Sequence, residues 1–431
     1  MSLEQTSTLS ISSSADSPSG SAERIFGHRS SRSRSILIRT LLSRLAGIKT
    51  GHLAIVHADT RYSFGDPTSS LQAVVHIHDE RLFARSLLGG AVGASESYLQ
   101  GHWDCDDLTS LFRILLRNEA VLHQLRVSRW SPLGMARKIG HFLNRNSRQG
   151  SQKNISAHYD LSNEFFQLFL DPTMLYSSAL FTSPEMSLEE ASVAKIDRIC
   201  RKLDLKSNEH IVEIGTGWGA FAIHAATEYG CRVTTTTISK EQHRYAGQKI
   251  HELGLQNRIE LLLSDYRDLK GQYDKLVSIE MIEAVGREYL PSYFQTCERL
   301  VKPGGAMMLQ AIVMPEQRFD AYASSVDFIQ KYIFPGGFLP SVTEMQKHVS
   351  QQTQFRMLDL FDMGFHYAET LRVWNNRFHQ RLHEVKQLGF DERFIRMWRY
   401  YLTYCEAAFT ERATGVAQIL WAKPDAKLHA V

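Results

Sequence analysis

A glutamate and three glycines near the middle of the chain have the spacing of a nucleotide-binding turn. The run Ile211-Val-Glu-Ile-Gly-Thr-Gly-Trp-Gly219 leads an apolar strand pattern into Glu213 and then into Gly215, Gly217 and Gly219. Glycine suits such a turn because a Cβ atom would hold a ligand away from the backbone, and because tight turns often need a positive φ. The next residues have the apolar spacing of a helix. We therefore expect a strand, a turn and a helix N-terminus that bind a nucleotide-like cofactor at the edge of a sheet.

The glycine spacing alone does not choose between two cofactor classes. Gly215-x-Gly217-x-x-Ala220 also fits the relaxed fingerprint of NAD enzymes, which expects an acidic residue about 20 residues later for a ribose hydroxyl. The next strand instead ends in Thr234-Thr-Thr-Thr-Ile-Ser239, and no Gly-Lys-Ser/Thr of a P-loop follows the turn. Glu213 directly before the glycines suits the ammonium group of S-adenosylmethionine. The pattern favours a methyltransferase, with a dehydrogenase as the alternative.

Composition indicates a globular protein of more than one domain. Of the 431 residues 43% are apolar and 22% charged, and 49 basic and 46 acidic side chains give a net charge of +3, which gives no reason to expect a nucleic acid partner. The five cysteines have neither zinc-ligand spacing nor the arrangement of a disulfide framework, so we expect buried thiols and no metal. The sequence shows no signal-peptide core and no long apolar span, which predicts a cytoplasmic chain.

Four segments are predicted along the chain. Residues 1–35, rich in Ser and Arg, are expected to be a disordered tail. Residues 36–125 are expected to form a small α+β domain that begins with an amphipathic helix, 36–48, which either packs on the core or lies on a membrane surface. Residues 126–155 are predicted as a linker, and 156–431 as the larger domain.

Strand and helix patterns alternate in the larger domain, which predicts a mostly parallel sheet with crossover helices. The seven candidate strands are 210–214, 232–238, 259–264, 275–279, 306–313, 355–360 and 416–421. Lys302-Pro-Gly-Gly305 is predicted as the turn into the fifth of them. Two aromatic-rich helical regions, 316–350 and 366–412, are not needed by such a sheet and are expected to form a lid over a substrate.

Several further motifs follow one another in this domain. They are Ala157-His-Tyr-Asp-Leu-Ser-Asn163, Leu175-Tyr-Ser-Ser-Ala179, Val212-Glu-Ile-Gly-Thr-Gly-Trp-Gly219, Thr237-Ile-Ser-Lys-Glu-Gln242, Asp265-Tyr-Arg-Asp268, Ile282-Glu-Ala-Val-Gly286 and Lys331-Tyr-Ile-Phe-Pro-Gly-Gly-Phe-Leu-Pro-Ser341. In this order they resemble the cyclopropane-fatty-acyl-phospholipid synthase family, which includes the mycolic acid cyclopropane synthases, over about residues 85–425. Residues 93–103 also resemble the N-terminal signature of members that act on phospholipids.

The resemblance implies a Rossmann-like class I methyltransferase fold, the cofactor S-adenosylmethionine and a set of cofactor-binding residues. That set is Tyr176, Ser177, Glu213, Gly215, Gly217, Gly219, Thr237, Ser239, Gln242, Asp265, Tyr266 and Ile279. By resemblance, Tyr176 and Ser177 would close over the methionine part of the cofactor. The segment 237–242 would line its ribose, and Asp265 with Tyr266 would contact its adenine.

The implied reaction adds a methylene group to the double bond of an unsaturated acyl chain in a membrane phospholipid. The sulfonium methyl is transferred to the alkene, and a bound bicarbonate removes a proton from the resulting carbocation as a cyclopropane ring closes. The residues implied around this bicarbonate are Glu283, Tyr367, Ser178, Gln310 and Ile312. We accordingly expect a peripheral enzyme at the inner membrane surface, with a homodimer as one expected assembly.

Two residues depart from the family pattern at the bicarbonate site. Ser178 stands where the family has cysteine, and Gln310 stands where it has histidine. Serine and glutamine still donate hydrogen bonds, but neither carries an imidazolium charge, so we expect bicarbonate to bind more weakly or with an altered geometry. The departures leave a methyl-branched or methylene acyl product as an alternative to the ring. A non-catalytic protein that binds lipid or cofactor is the third hypothesis.

Overall fold

The computed structural model describes residues 36–121, 150 and 161–428. The predicted disordered tail, 1–35, lies outside these residues, as does the predicted linker, 126–155, apart from Gly150. The described residues contain one four-stranded and one seven-stranded sheet.

The four-stranded sheet lies in the N-terminal part of the chain. Its strands are His52–His57 (β1), Thr60–Gly65 (β2), Gln72–Ile77 (β3) and Trp103–Cys105 (β4), in the order β2-β1-β3-β4. The helices of this part are 36–45 (α1), Arg81–Leu99 (α2) and Leu108–Arg117 (α3). Leu41 and Leu45 on α1 are buried in the core beside the sheet. Of the two roles predicted for this helix, core packing and a position on a membrane surface, their burial matches core packing.

The seven-stranded sheet confirms the predicted Rossmann-like fold. Its strands are His210–Ile214 (β5), Arg232–Thr237 (β6), Ile259–Leu263 (β7), Tyr273–Ile279 (β8), Val301–Val313 (β9), Arg356–Asp362 (β10) and Gly415–Ala422 (β11). They lie in the order β10-β11-β9-β8-β5-β6-β7; β5 to β9 pair in parallel, and β11 runs antiparallel to both of its neighbours. The predicted turn at 302–305 was wrong, because this segment belongs to β9, whose pairing with β8 shifts register between Tyr273 and Lys275.

Helices connect these strands, and further helices lie in the two regions predicted as a lid. The helices preceding or crossing between strands are Asn163–Gln167 (α4), Leu188–Lys202 (α5), Ala220–Glu228 (α6), Lys240–Glu252 (α7) and Leu290–Leu300 (α8). The two predicted lid regions contain Glu316–Ala323 (α9), a π-helical turn at Ile329–Ile333, Val342–Gln352 (α10), Gly364–Gln380 (α11), Leu382–Gln387 (α12) and Glu392–Thr410 (α13). Among the described residues, none of the helices is both long and apolar enough to cross a membrane.

Helix α13 joins the two sheets. The Arg396 guanidinium donates to the carbonyls of Tyr98 (2.6 Å) and Trp103 (2.7 Å) and to the Asp104 carboxylate (2.7 Å). It also lies 4.0 Å above the ring centroid of Tyr98. Because a guanidinium offers several donors in a fixed plane, this one side chain ties α13 to the end of α2 and to β4 at three acceptors.

Candidate active site

The predicted glycine turn follows β5 at the carboxyl edge of the sheet. The turn has positive φ values at three glycines: +102° at Gly215, +54° at Gly217 and +97° at Gly219. Residues with a side chain rarely adopt this backbone conformation. A Cβ atom at Gly217 would meet nothing within 4 Å, so the backbone there faces open space. At Gly219 a Cβ atom would approach Ala246 on α7 to 3.3 Å. Gly217 therefore leaves room for a ligand, whereas Gly219 allows the first turn of α6 to pack beside α7.

A single cavity of about 890 Å³ runs from this turn under the lid and into the N-terminal part. Ten of the predicted cofactor-binding residues line it: Tyr176, Ser177, Glu213, Gly215, Gly217, Thr237, Gln242, Asp265, Tyr266 and Ile279. Gly219 and Ser239 do not line it. Ser239 instead caps α7, since its hydroxyl accepts from the backbone N–H of Gln242 at 3.3 Å. We call this cavity the chamber.

Glu213 places a carboxylate at the cofactor end of the chamber. It is 2% exposed, and its Oε2 accepts a hydrogen bond of 2.6 Å from the Thr235 hydroxyl. Burial raises the pKa of Glu213 to about 8. A ligand cation in this position would offset the burial and favour the ionised carboxylate.

The polar residues on the neighbouring strands are held in place by hydrogen bonds. The Thr237 hydroxyl donates to Gln242 Oε1 at 2.8 Å, which fixes the direction of the Gln242 amide. Asp265 accepts from the Arg267 backbone N–H (2.9 Å) and from its guanidinium (2.6 and 2.8 Å). These side chains follow β6 and β7, so they meet at the same edge as the glycine turn.

Glu283, Tyr367 and Ile312, three of the five residues expected around bicarbonate, also line the chamber. The Ile312 backbone N–H donates to Glu283 Oε1, while Glu283 Oε2 is buried and lacks a partner among the described residues. Burial, together with repulsion from Glu280, raises the pKa of Glu283 to about 8. The other two, Ser178 and Gln310, are fully buried and lie behind the chamber wall.

Glu280, which the sequence analysis did not assign to the site, lies between these groups. It follows β8 and lines the chamber, and its Oε1 accepts hydrogen bonds from the Ser178 backbone N–H (2.9 Å) and from Gln310 Nε2 (2.7 Å). Its φ is +47°, a conformation that costs a residue with a side chain about 1–3 kcal/mol and that is often held at functional sites. An acid at the carboxyl end of an apolar strand was the signal that could have found it, as it found Glu213.

A buried lysine interacts with the carboxylates of Glu280 and Glu213. Lys195 on α5 is fully buried, and its Nζ donates to the Ser177 hydroxyl at 2.7 Å. Burial lowers the pKa of Lys195 to about 8, while attraction to Glu280, Asp171 and Glu213 opposes that shift. Burial raises the pKa of both Glu280 and Glu213, and the lysine charge opposes that rise. Lys195 thus supplies a positive charge that partly offsets the charges of Glu280 and Glu213.

The far part of the chamber is apolar. Helices α1 and α3 and the N-terminal sheet supply aliphatic side chains, and the lid supplies aromatic rings. The lining residues include Leu41, Leu45, Ile55, Val75, Leu111, Leu115, Phe328, Phe334, Phe338 and Tyr401. A long hydrocarbon chain would be desolvated there, and aromatic faces stabilise a nearby cation.

The turn, the buried acid and the parallel sheet fit S-adenosylmethionine. Gly217 leaves space at the backbone, and Glu213 offers a desolvated carboxylate to a positively charged group. With this fold and site, the chain is a class I S-adenosylmethionine-dependent methyltransferase.

Comparison with known proteins then shows the family. The model of the family described as mycolic acid cyclopropane synthetase matches residues 146–419, so the chain belongs to that family. It is 41% identical over 380 residues to the tuberculostearic acid methyltransferase UfaA1 of Mycobacterium tuberculosis, which covers 85% of this chain and 86% of the relative. It is 35% identical over 355 residues to the cyclopropane-fatty-acyl-phospholipid synthase of Escherichia coli, which covers 82% and 89%.

A solved structure in the same family extends the comparison. The mycolic acid cyclopropane synthase CmaA1, complexed with SAH and CTAB, superposes with a TM-score of 0.59 at 31% identity and covers 63% of this chain and 98% of its own. The predicted family and enzyme class are confirmed, and the chain is a methyl- or methylene-transferring enzyme of lipids.

Proposed function

We propose that this enzyme adds a one-carbon group from S-adenosylmethionine to the double bond of an unsaturated acyl chain in a membrane phospholipid. The observation that carries the proposal is the continuity of the chamber, which joins the glycine turn, the carboxyl groups of Glu213, Glu280 and Glu283, and an apolar region in one cavity. A cavity of about 890 Å³ is in the range of small-molecule sites and has room for a cofactor and part of an acyl chain.

The residues have separate tasks in this proposal. When bound, S-adenosylmethionine supplies an electrophilic methyl group. Gly215 and Gly217 would let the cofactor approach the backbone, and Glu213 would neutralise its ammonium group. The rings of Phe328, Phe334 and Tyr401 would exclude water from the acyl cation and face it with electron-rich surfaces.

A phospholipid is the proposed substrate because of the N-terminal part of the chain. The alignment with the cyclopropane-fatty-acyl-phospholipid synthase of Escherichia coli covers 355 residues, which is more than the number of residues from 146 to the end of the chain. The alignment therefore includes part of the region before residue 146, which the family model does not match. That region supplies the aliphatic end of the chamber. We infer that it receives the acyl chain of a lipid at the inner membrane surface.

The proposed product is a cyclopropane, and a methyl-branched or methylene chain is the second candidate. The second is favoured by the contacts of Ser178 and Gln310 with Glu280, and by a 41% identical relative that is named as a methyltransferase. Acyl chains from cells that express the protein would be analysed by mass spectrometry before and after mild hydrogenation. The ring product and an unsaturated methyl-branched or methylene product are each one CH₂ unit heavier than the substrate, but only the unsaturated product gains hydrogen readily. Expression without any heavier acyl chain would refute the proposal.

A further inference from the structure

The wall between the cofactor end and the apolar end of the chamber carries a carboxylate with no assigned role. Glu280 lies one residue before Met281, whose side chain would meet a Cβ atom at Gly215 at 3.2 Å. Glu280 lines the same chamber as Gly215 and Tyr367. Glu280 therefore adjoins a residue that packs on the glycine turn, and it lines the cavity proposed for the acyl chain.

Three of the five residues that the family resemblance assigned to bicarbonate are hydrogen-bonded to Glu280. Ser178 contributes its backbone N–H, Gln310 its side-chain amide, and a hydrogen bond with Tyr367 also lowers the pKa of Glu280. In this chain these donors hold a carboxylate of the protein itself. A bicarbonate on the same donors would have to displace Glu280 or lie against its negative charge.

A chain of hydrogen bonds fixes which way the Gln310 amide points. The Arg198 guanidinium, which can only donate, bonds Gln418 Oε1 at 2.5 Å. Gln418 Nε2 then donates to Gln310 Oε1 at 3.0 Å, so the Gln310 NH₂ group is directed at Glu280. This order of residues keeps the Gln310 N–H on Glu280 Oε1, beside the Ser178 backbone N–H, and an ionised carboxylate accepts both.

We propose that Glu280 is the catalytic base that deprotonates the methylated acyl cation, in the place of a bound bicarbonate. The inference rests on the proposed function. The alkene electron pair forms the bond to the transferred methyl carbon, the sulfonium sulfur keeps the electrons of the bond that breaks, and the neighbouring acyl carbon becomes cationic. For ring closure, a C–H bond of the transferred methyl then breaks, and its electron pair joins the methyl carbon to the cationic carbon. For an alkene product, a C–H bond on the carbon next to the cation breaks, and its electron pair forms the double bond. In either case the proton passes to the Glu280 carboxylate.

Glu283 is a weaker candidate for this role. Burial and repulsion from Glu280 raise the pKa of Glu283 to about 8, so Glu283 is mostly protonated at neutral pH. Burial also raises the pKa of Glu280, but Lys195 and the three donors oppose that rise. Glu280 is thus a desolvated base held beside a neutral acid.

The test uses the full-length protein with S-adenosylmethionine and vesicles of a monounsaturated phospholipid, in buffer with and without bicarbonate. Glu280→Gln keeps the shape and an acceptor oxygen but is not basic. Glu280→Gly opens space for an anion and suits the positive φ. The matched control is Glu406→Gln, another largely buried carboxylate, which bonds Thr109 and does not line the chamber. Binding of SAH and of ¹³C-labelled bicarbonate is measured for every variant.

We expect the unmodified protein to work equally well without bicarbonate and to bind none. Glu280→Gln should lose at least 100-fold in kcat with SAH affinity within twofold. Glu280→Gly should be restored by bicarbonate, and Glu406→Gln should match the unmodified protein. A bicarbonate requirement in the unmodified protein, a Glu280→Gln variant above one tenth of normal kcat, or a Glu280→Gly variant that no anion restores would overturn the inference. No acyl methylation by the unmodified protein would refute the proposed function and this inference together, whereas methylation that survives Glu280→Gln refutes the inference alone.

Discussion

Glu280 and Gln310 are joined by two hydrogen bonds: the Glu280 backbone N–H donates to the Gln310 carbonyl, and the Gln310 side-chain amide donates to the Glu280 carboxylate, each at 2.7 Å. The first bond fixes the backbone at the end of β8 against β9, and the second fixes the carboxylate. Because Gln310 is fully buried, it has no water to replace these partners. The pair therefore positions a carboxylate at the chamber wall with little freedom to move.

The orientation of Gln310 depends on Gln418. Replacement of Gln418 by Leu would remove the donor to Gln310 Oε1, and the Gln310 amide could then rotate its oxygen toward Glu280. We expect kcat to fall about tenfold, the effect of about 1.4 kcal/mol from one misplaced hydrogen bond, with cofactor affinity unchanged. The matched control is Gln346→Leu, which removes the partner of the Trp421 indole from the other side of the sheet. Equal losses in the two variants would show that Gln418 acts only through stability.

Gly217 is expected to matter for the cofactor more than for the fold. Gly217 and Gly254 both have positive φ, and a Cβ atom at either would meet nothing within 4 Å. Alanine at either position should cost about 1–2 kcal/mol of stability, because the left-handed backbone is unfavourable for alanine. Only Gly217→Ala places a methyl group in the chamber. Calorimetric titration with SAH should show at least tenfold weaker binding for Gly217→Ala than for Gly254→Ala. A similar affinity in the two variants would contradict the proposal that the cofactor lies against the backbone at Gly217.

The raised pKa of Glu213 predicts a pH-dependent stability. The folded protein keeps a proton on Glu213 up to about pH 8, whereas the unfolded chain releases it near the usual value of 4.5. Between these values the folded state binds more protons, so this group makes the free energy of unfolding fall as pH rises. Denaturant unfolding from pH 5 to 8 should show a steeper fall for the unmodified protein than for Glu213→Gln. If the free energy of unfolding depends on pH in the same way in both proteins, the pKa of Glu213 is not raised in the folded state.

Glu213 should also link cofactor binding to proton release. A cationic ligand favours the ionised carboxylate, so affinity for S-adenosylmethionine should rise as pH increases toward 8. Titrations in buffers with different ionisation enthalpies count the released protons. Glu213→Gln should release fewer, and a proton count that the substitution does not change would place the ammonium group elsewhere.

The aliphatic end of the chamber should set acyl-chain length. Leu115 on α3 lines the chamber and is partly buried, so tryptophan there would shorten the space for a hydrocarbon chain. Leu88 on α2 is 69% exposed and is not part of the lining, which makes Leu88→Trp the matched control. We expect Leu115→Trp to raise KM for long acyl chains several-fold more than for short ones. Equal effects on all chain lengths would place the acyl chain elsewhere.

The sequence predicted what depends on neighbouring residues. The strand, turn and helix around Gly215 and Gly217, and the acid at Glu213, follow one another within a few residues, so their pattern is visible without the fold. The four-stranded sheet was only partly visible, because β4 has three residues and is too short to show alternation.

The Glu280 contacts could not be predicted in the same way. Glu280 meets Ser178, Gln310 and Tyr367 only because β8, β9, α11 and the segment before α5 converge in three dimensions. Motif comparison placed Ser178 and Gln310 at the site but could not show that their partner is a side chain of the same protein. The depth of the chamber was hidden for the same reason, since α1 and α3 lie far from the glycine turn in the sequence.

The most direct test of the proposed function follows the methyl group itself. The purified protein would be incubated with S-adenosylmethionine carrying a CD₃ methyl group and with vesicles of either monounsaturated or fully saturated phospholipid. The acyl chains would then be released, and their masses measured by mass spectrometry. We predict deuterium in the acyl chains of the monounsaturated lipid alone, with two deuterium atoms if the proton comes from the transferred methyl and three if it comes from the chain. Label that stays with the headgroup, or that enters saturated chains equally, would contradict the account.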